Sequence, residues 1–356
     1  MLSALLFLLP SLTAADETGS LLHAVKPVPA AALLKVADKA LQTPLITIVD
    51  KAKPSPTGDA HDYISYARYW WPDPAKPDGL PFIRKDGYHN REQVDAGDRK
   101  KIDTLVDSVT VLALGWSQLQ REDCARRAGE WLRAWFVTLA TRMKPALDYA
   151  QVRLGHNKNL GNASGVLDTR TFAQLVEALG RLHGSPALTA ANETAVRQWF
   201  TDYFHWLETG ESALGEHQAE NNHGSWYLVQ AVAIARYLGR EDSARQLCEE
   251  DRARIGWQFK ADGSQPLELE REDGLSYSAF NLEAQLQLAS QARALGVDLW
   301  NYTAPNGGSL KRGLAYIRPY NTAPETWPHK ERAVLPKGFM DELLAHAAEL
   351  DRAPSH

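Results

Sequence analysis

Apolar residues recur at i, i+3, i+4 spacing along nearly the whole chain, and this helical period constrains the fold more than any other feature of the sequence. Residues 102–120 and 123–142 read as a helix pair. Asp168 is expected to be the N-cap of a helix over 169–184, and Thr189 to open the next, which runs through residue 210. Segments 224–239, 241–256, 279–296 and 339–352 continue the pattern. Strand-like alternation is scarce. Helices that follow one another at short intervals without a heptad pack as successive antiparallel hairpins, so the expected fold is all-α, an (α/α) toroid rather than a coiled coil.

Two irregular stretches interrupt the helices: residues 52–100, rich in Pro, Gly, Asp and aromatics, and residues 144–167, rich in Asn and Gly. Long loops inside a compact domain commonly carry function. The first of them holds Tyr69, Trp70 and Trp71, whose ring faces suit stacking on a pyranose. The competing use of the Trp70–Trp71 pair is to plug the core before a turn made by Pro72, and one ring of the pair is expected to do each job. Arg170, in VLDTR, offers a planar bidentate clamp for a carboxylate; a salt bridge to a neighbouring acid is its structural alternative.

Asn222 and His223, in AENNHGSWYLVQ, are followed about fifty residues later by Arg271 and Tyr277, in LELEREDGLSYSAF. Amide, imidazole and guanidinium are the donors needed to neutralise a carboxylate while a proton leaves the carbon beside it. A tyrosine held near a guanidinium can take that proton and return one to a leaving oxygen. The structural alternatives are an Asn-Asn-His helix cap and, for Arg271, a solvated charged run from Glu268 to Asp273.

The string HDYISYARYWWPDPAKPDGLPFIRKDG at 61–87, together with NNHGSW, the Arg271–Tyr277 segment and LWNYTAPNGGSLKRGLAYIRPY, resembles the alginate lyase superfamily over residues 40–330. The resemblance implies an (α/α) toroid and a poly-uronate lyase acting by β-elimination on an anionic uronic-acid polysaccharide. It implies Asn222, His223, Arg271 and Tyr277 as catalytic residues, with alginate, particularly its mannuronate-rich stretches, as first choice of substrate and glucuronan as the alternative. One departure is local: Glu272 and Asp273 directly follow Arg271, which leaves the partner of the guanidinium open. An inverting glycoside hydrolase on the same helical architecture, using two of Glu268, Glu270, Glu272, Asp273 and Asp168, is a second reading. A non-catalytic glycan-binding protein is a third.

A formal charge of −5 argues against nucleic acid as partner, while Arg68, Arg170 and Arg271 can still make a cleft locally positive. Residues 1–15, an apolar run ending in Thr13-Ala14-Ala15, read as a signal peptide, so an exported (periplasmic or secreted) protein with no later membrane segment is expected, with residues 16–356 as a single domain. No cofactor and no metal are expected: His217, Glu220 and His223 lie close together but match no standard zinc spacing. Cys124 and Cys248 allow either one disulfide or two separate thiols.

Overall fold

The computed structural model describes residues 29–352, apart from Ala52, Pro186, Ala333, Val334 and Lys337. The expected signal peptide, residues 1–15, lies outside the described residues. These residues form two compact units, 29–215 and 216–352.

The first unit contains α1 (Ala30–Gln42), α2 (Arg91–Asp95), α3 (Arg99–Leu119), α4 (Glu122–Leu132), α5 (Phe172–Leu182) and α6 (Ala190–Thr209). Helix α3 packs against α1, α4 and α5. The interior is aromatic: Phe172 meets Trp199 edge-on with centroids 6.0 Å apart, and Trp199 stacks on Tyr203 at 5.4 Å. Such pairs add to the stabilisation from area burial alone. Four short strands, β1 (Ile64–Tyr66), β2 (Trp70–Trp71), β3 (Ile83–Arg84) and β4 (Tyr149–Val152), stitch the two irregular stretches, with β1 parallel to β4 and β2 antiparallel to β3.

Local chemistry explains most boundaries and corrects two expectations. Thr189 caps α6 as anticipated, its hydroxyl accepting from Asn192 N at 3.2 Å. Asp168 caps nothing. It lies in a 3-10 segment, Ala163–Thr169, where its carboxylate accepts from Tyr63 Oη (3.0 Å), Ser65 Oγ (2.5 Å), Arg99 (3.2 Å) and Gln151 Nε2 (3.0 Å). A buried carboxylate persists only when its oxygens are so occupied. The helix expected over 123–142 stops at Leu132 and widens into a π-turn, Arg133–Val137.

Helix α7 (Glu211–His217) contains the border between the units. The second unit then runs through α8 (Asn222–Tyr237), α9 (Glu241–Gln258), α10 (Pro266–Leu269), α11 (Gly274–Arg293), α12 (Leu310–Ile317) and α13 (Phe339–Arg352). Helix α11 touches α8, α9, α10, α12 and α13, and it is buried almost throughout although it carries Ser276, Ser278, Asn281, Glu283, Gln285 and Gln287. Those polar groups join a network: Asn281 donates to Gln258 (3.0 Å) and Gln265 (2.8 Å), while Gln285 donates to Ser225 and Asp251 (both 3.1 Å). Gln258 Nε2 in turn holds the carbonyls of Glu220 (3.0 Å) and Asn221 (3.1 Å). The turn that leads into α8 is thereby fixed from α9.

Cys124 and Cys248 are free, buried thiols, and burial pushes their pKa values up to about 11 and about 12.

Candidate active site

Asn221, not Asn222, caps α8: its side chain accepts from His223 N at 3.2 Å. Asn222 is thereby released from capping duty and sits wholly buried at the first position of the helix. Its backbone N–H and its Nδ2 each donate to one oxygen of Glu268, both at 2.7 Å. Its Oδ1 has no hydrogen-bond partner, which for a buried amide is a cost left standing. Gly224 makes this turn possible, because a Cβ there would fall 2.1 Å from both the Ala219 carbonyl and the Arg254 guanidinium.

His223 is partly exposed, and its Nδ1 lies 2.6 Å from Glu216 Oε1. A carboxylate only accepts, so Nδ1 carries the proton and Nε2 remains as the ring's second functional atom. Glu216 is itself buried.

Arg271 stands in the turn between α10 and α11, its backbone N–H donating to the Glu268 carbonyl at 3.2 Å. Its guanidinium centre lies 3.7 Å from the Tyr277 ring centroid and its Nη2 donates to the Tyr277 hydroxyl at 2.7 Å. Stacking and donation together fix the ring and polarise its oxygen. Tyr277 retains 7% exposure, in the second turn of α11. The acids after Arg271 have partners of their own: Glu272 pairs with Lys330 at 2.9 Å, and Asp273 accepts from Arg332 N at 2.9 Å.

Glu268 ties the set together. It is fully buried and burial raises its pKa, opposed by the two Asn222 hydrogen bonds and then by the charges of Arg271 and His223. Asn222, His223 and Arg271 therefore converge around one carboxylate inside one unit, and Tyr277 joins them through Arg271. Glu216 and Glu268 were not given these roles from sequence. The only available signal was their position within the same two motifs, GEHQAENNHG and PLELER.

The aromatic and Arg170 expectations fall in the other unit. Tyr69 is the most buried of the three rings, tilted against His89 at 5.1 Å, while both tryptophans of β2 are partly exposed. Trp70 meets His156 edge-on at 4.8 Å and lies under the Arg153 guanidinium at 4.9 Å. Trp71 Nε1 donates to the Tyr88 carbonyl at 2.9 Å. Tyr69 rather than one of the tryptophans is thus the core ring. Arg170 is 4% exposed, and its charge offsets part of the desolvation that raises the Asp103 carboxyl.

Among the described residues no cluster of His, Cys, Asp and Glu has the makings of a metal site. His217 stacks on Tyr227 at 4.6 Å and lies 3.1 Å from Glu250, with burial lowering its pKa.

Residues 47–327 match the family profile described as alginate lyase. An alginate lyase from Bacteroides ovatus is 36% identical, with 91% of this chain and 90% of that one covered and a TM-score of 0.84. Alginate lyase A1-III from Sphingomonas species A1 shares the fold at 15% identity, with coverage of 91% and 88% and a TM-score of 0.58. A histidine-to-alanine variant of A1-III complexed with a tetrasaccharide does so with a TM-score of 0.55, at 15% identity over 90% and 87% of the two chains. A comparison with curated proteins finds no match. The all-α (α/α) toroid fold class is that of these solved structures.

Proposed function

The chain belongs to the alginate lyase family, and on that premise we propose that it cleaves alginate, preferring poly-mannuronate stretches, by metal-independent β-elimination that leaves unsaturated uronate ends. It is a polysaccharide lyase, and its partner is a polysaccharide. The observation that carries the mechanistic reading is the Arg271–Tyr277 contact: a phenol both stacked under and hydrogen-bonded to a guanidinium 2.7 Å away is prepared for proton transfer.

In this reading the uronate carboxylate at C6 meets the second N–H of Asn222 Nδ2, the first being held by Glu268, and the Nε2–H of a His223 imidazolium whose Nδ1–H is held by Glu216, and these donors take up the charge that develops as the C5 proton departs. Tyr277 removes that proton. The C5–H electron pair becomes the C4=C5 double bond, the bond from C4 to the bridging oxygen breaks, and that oxygen takes a proton from Tyr277. Tyr277 is the phenolate before the first transfer and a phenol between the two, and Arg271 steadies the phenolate that starts the cycle and is restored by the second transfer. The charge neutralisation a metal would otherwise supply falls to Asn222, His223 and Arg271, so no cofactor enters the scheme. Export is part of the same proposal, since an extracellular polymer is reached only by an exported enzyme and residues 1–15 have the pattern of a signal. No helix among the described residues is long and apolar enough to cross a membrane. Within the first unit, taken by itself, the partly exposed Trp70 and Trp71 are proposed as stacking faces for sugar rings, with Tyr69 supporting them and Arg170 as a carboxylate contact.

The hydrolase reading gives way to the family assignment, and four of its five carboxylates have other tasks: Glu268 serves Asn222, Glu272 serves Lys330, Asp273 accepts from Arg332 N, and Asp168 holds the first unit. The deciding experiment incubates the purified protein with mannuronate-rich, guluronate-rich and glucuronate polymers and follows ultraviolet absorbance. A rise fastest on poly-mannuronate is expected; new reducing ends without absorbance would overturn the elimination chemistry.

A further inference from the structure

The first three N–H groups of a helix have no partner within it, and α11 begins three residues before Tyr277. In this protein a segment far along the chain satisfies them. Gly274 N donates to the Lys330 carbonyl at 3.0 Å, Leu275 N to Glu331 Oε2 at 2.7 Å and Ser276 N to the same oxygen at 3.4 Å. Ser276 Oγ adds a bond to Glu331 Oε1 at 2.6 Å. Asp273, which precedes the helix, accepts from Arg332 N, and its carbonyl accepts from Tyr277 N at 2.9 Å. One carboxylate thus takes the place of a side-chain cap, since Asp273 makes no such bond itself.

The segment is anchored at its other end as well. Trp327 sits edge-on to Tyr320 at 4.7 Å and to Tyr316 at 6.1 Å, and Tyr316 Oη lies 3.0 Å from His329 Nε2. Residues 327–332 therefore form a strap pinned by an aromatic cluster and closed onto the start of the helix that carries the proton-transfer tyrosine. The family match ends at residue 327, where this strap begins.

We propose that Glu331 is a positioning residue for Tyr277: by closing the N-terminus of α11 it holds the first turn in the place that keeps the Tyr277 hydroxyl in hydrogen-bond register with Arg271. This inference rests on the lyase reading given above. A displacement of about 1 Å in a reacting group can cost on the order of 10²-fold in rate, so a cap one turn away has the leverage required. Binding of the polymer does not depend on that register, so KM is not expected to follow kcat.

The test compares Glu331→Ala and Glu331→Gln in the wild-type background and in Tyr277→Phe, with kcat and KM measured on poly-mannuronate. Gln keeps the acceptor for Leu275 N and can donate to Ser276 Oγ. Glu331→Ala is expected to lower kcat by about 10- to 100-fold with KM within about three-fold, and Glu331→Gln to recover most of the loss. In the Tyr277→Phe background Glu331→Ala is expected to remove nothing further from the residual rate, because the two changes act through one group. Amide hydrogen exchange of 274–277 gives a readout independent of activity and is expected to quicken in the Ala variant only. Should Glu331→Ala fail to fold, Ser276→Ala, which deletes one of the bonds, is expected to show a smaller drop in kcat at constant KM. Unchanged kcat in a folded Ala variant, or an equal loss in the Tyr277→Phe background, overturns the proposal. A wild-type protein that releases no unsaturated product from any poly-uronate defeats the lyase reading instead, and the two failures are distinct.

Discussion

Asn222 and Glu268 form a closed pair in which the backbone N–H and the side-chain amide of one residue each reach one oxygen of the other at 2.7 Å, with both residues buried. The carboxylate dictates which way the amide faces: Nδ2 must point at Glu268, and Oδ1 must point away. Glu268→Ala leaves two buried donors without an acceptor and frees the amide to turn. Stability is expected to fall by about 1–3 kcal/mol per orphaned donor, and kcat by about 10²-fold with little change in KM. Glu268→Gln preserves the shape yet offers only one acceptor oxygen, so it should lie between Ala and wild type. A Gln variant worse than Ala in kcat would show that the carboxylate does something other than orient Asn222.

His223 depends on Glu216 in a comparable way, through a 2.6 Å contact at Nδ1. Replacing the carboxylate by an amide permits the other tautomer, in which Nδ1 accepts and Nε2 carries the proton. In the serine-protease triad the equivalent exchange costs about 10⁴ in kcat. For Glu216→Gln a loss of at least about 10²-fold is expected, equal in size to that of His223→Ala. If Glu216→Gln is active while His223→Ala is dead, the imidazole works without a fixed tautomer.

What the chain announces and what it conceals follow a physical line. The grouping of Asn222, His223, Arg271 and Tyr277 as candidates was legible because their chemistry is peculiar and their segments short, and α13 was legible because its apolar stripe is complete. The start of α11 was not: a helix buried on every side has no polar face to contrast with an apolar one, so its period is lost from Gly274 to Ser278. Asp168 stood before an apolar helix and so resembled a cap, but its donors Tyr63, Ser65 and Arg99 arrive from about 70 to 105 residues away. Glu268 and Glu216 were hidden for the same reason. A carboxylate's partner is a fact of packing, and local pattern does not record it.

Asp251 gives the molecule a pH dependence that can be signed in advance. It is wholly buried, Oδ1 accepts from Gln285 at 3.1 Å, Oδ2 has no hydrogen-bond partner, and burial pushes its pKa from 3.8 up to about 6, against the pull of Arg254. Because the folded value lies above the unfolded one, the stability associated with the neutral acid is complete below about pH 4 and is lost as pH rises through 6. Asp251→Asn cannot ionise. In urea melts at pH 4 and pH 8 the wild type is expected to lose up to about 3 kcal/mol more than the variant. Equal losses would place the ionisation elsewhere.

Metal removal offers a direct check on the proposed neutralisation. If Asn222, His223 and Arg271 carry that task, turnover on poly-mannuronate should survive exhaustive chelation within about two-fold. Loss on chelation, restored by calcium or zinc, would instead return His217 and Glu220 to consideration.

The last prediction separates the two faces of the sugar. Tyr277 is engaged by Arg271, and His223 by Glu216, so the two candidate proton carriers are held by independent partners. In poly-mannuronate the C5 proton is presented to Tyr277, and Tyr277→Phe, which deletes only the hydroxyl, should cost about 10² to 10⁴ in kcat. In guluronate blocks the C5 proton lies on the opposite face, where His223 through Nε2 is the proposed base. On poly-mannuronate loss of His223 removes a carboxylate donor, at about 10² to 10³ in kcat, whereas on guluronate Nε2 must be unprotonated and its loss removes the base itself, with Tyr277 left on the wrong face to replace it. His223→Ala should therefore damage guluronate turnover by clearly more than mannuronate turnover, with kcat and not KM carrying the difference. Losses of equal size on the two block polymers would confine His223 to carboxylate neutralisation. A change restricted to KM would mean that His223 does not contribute to the transition state.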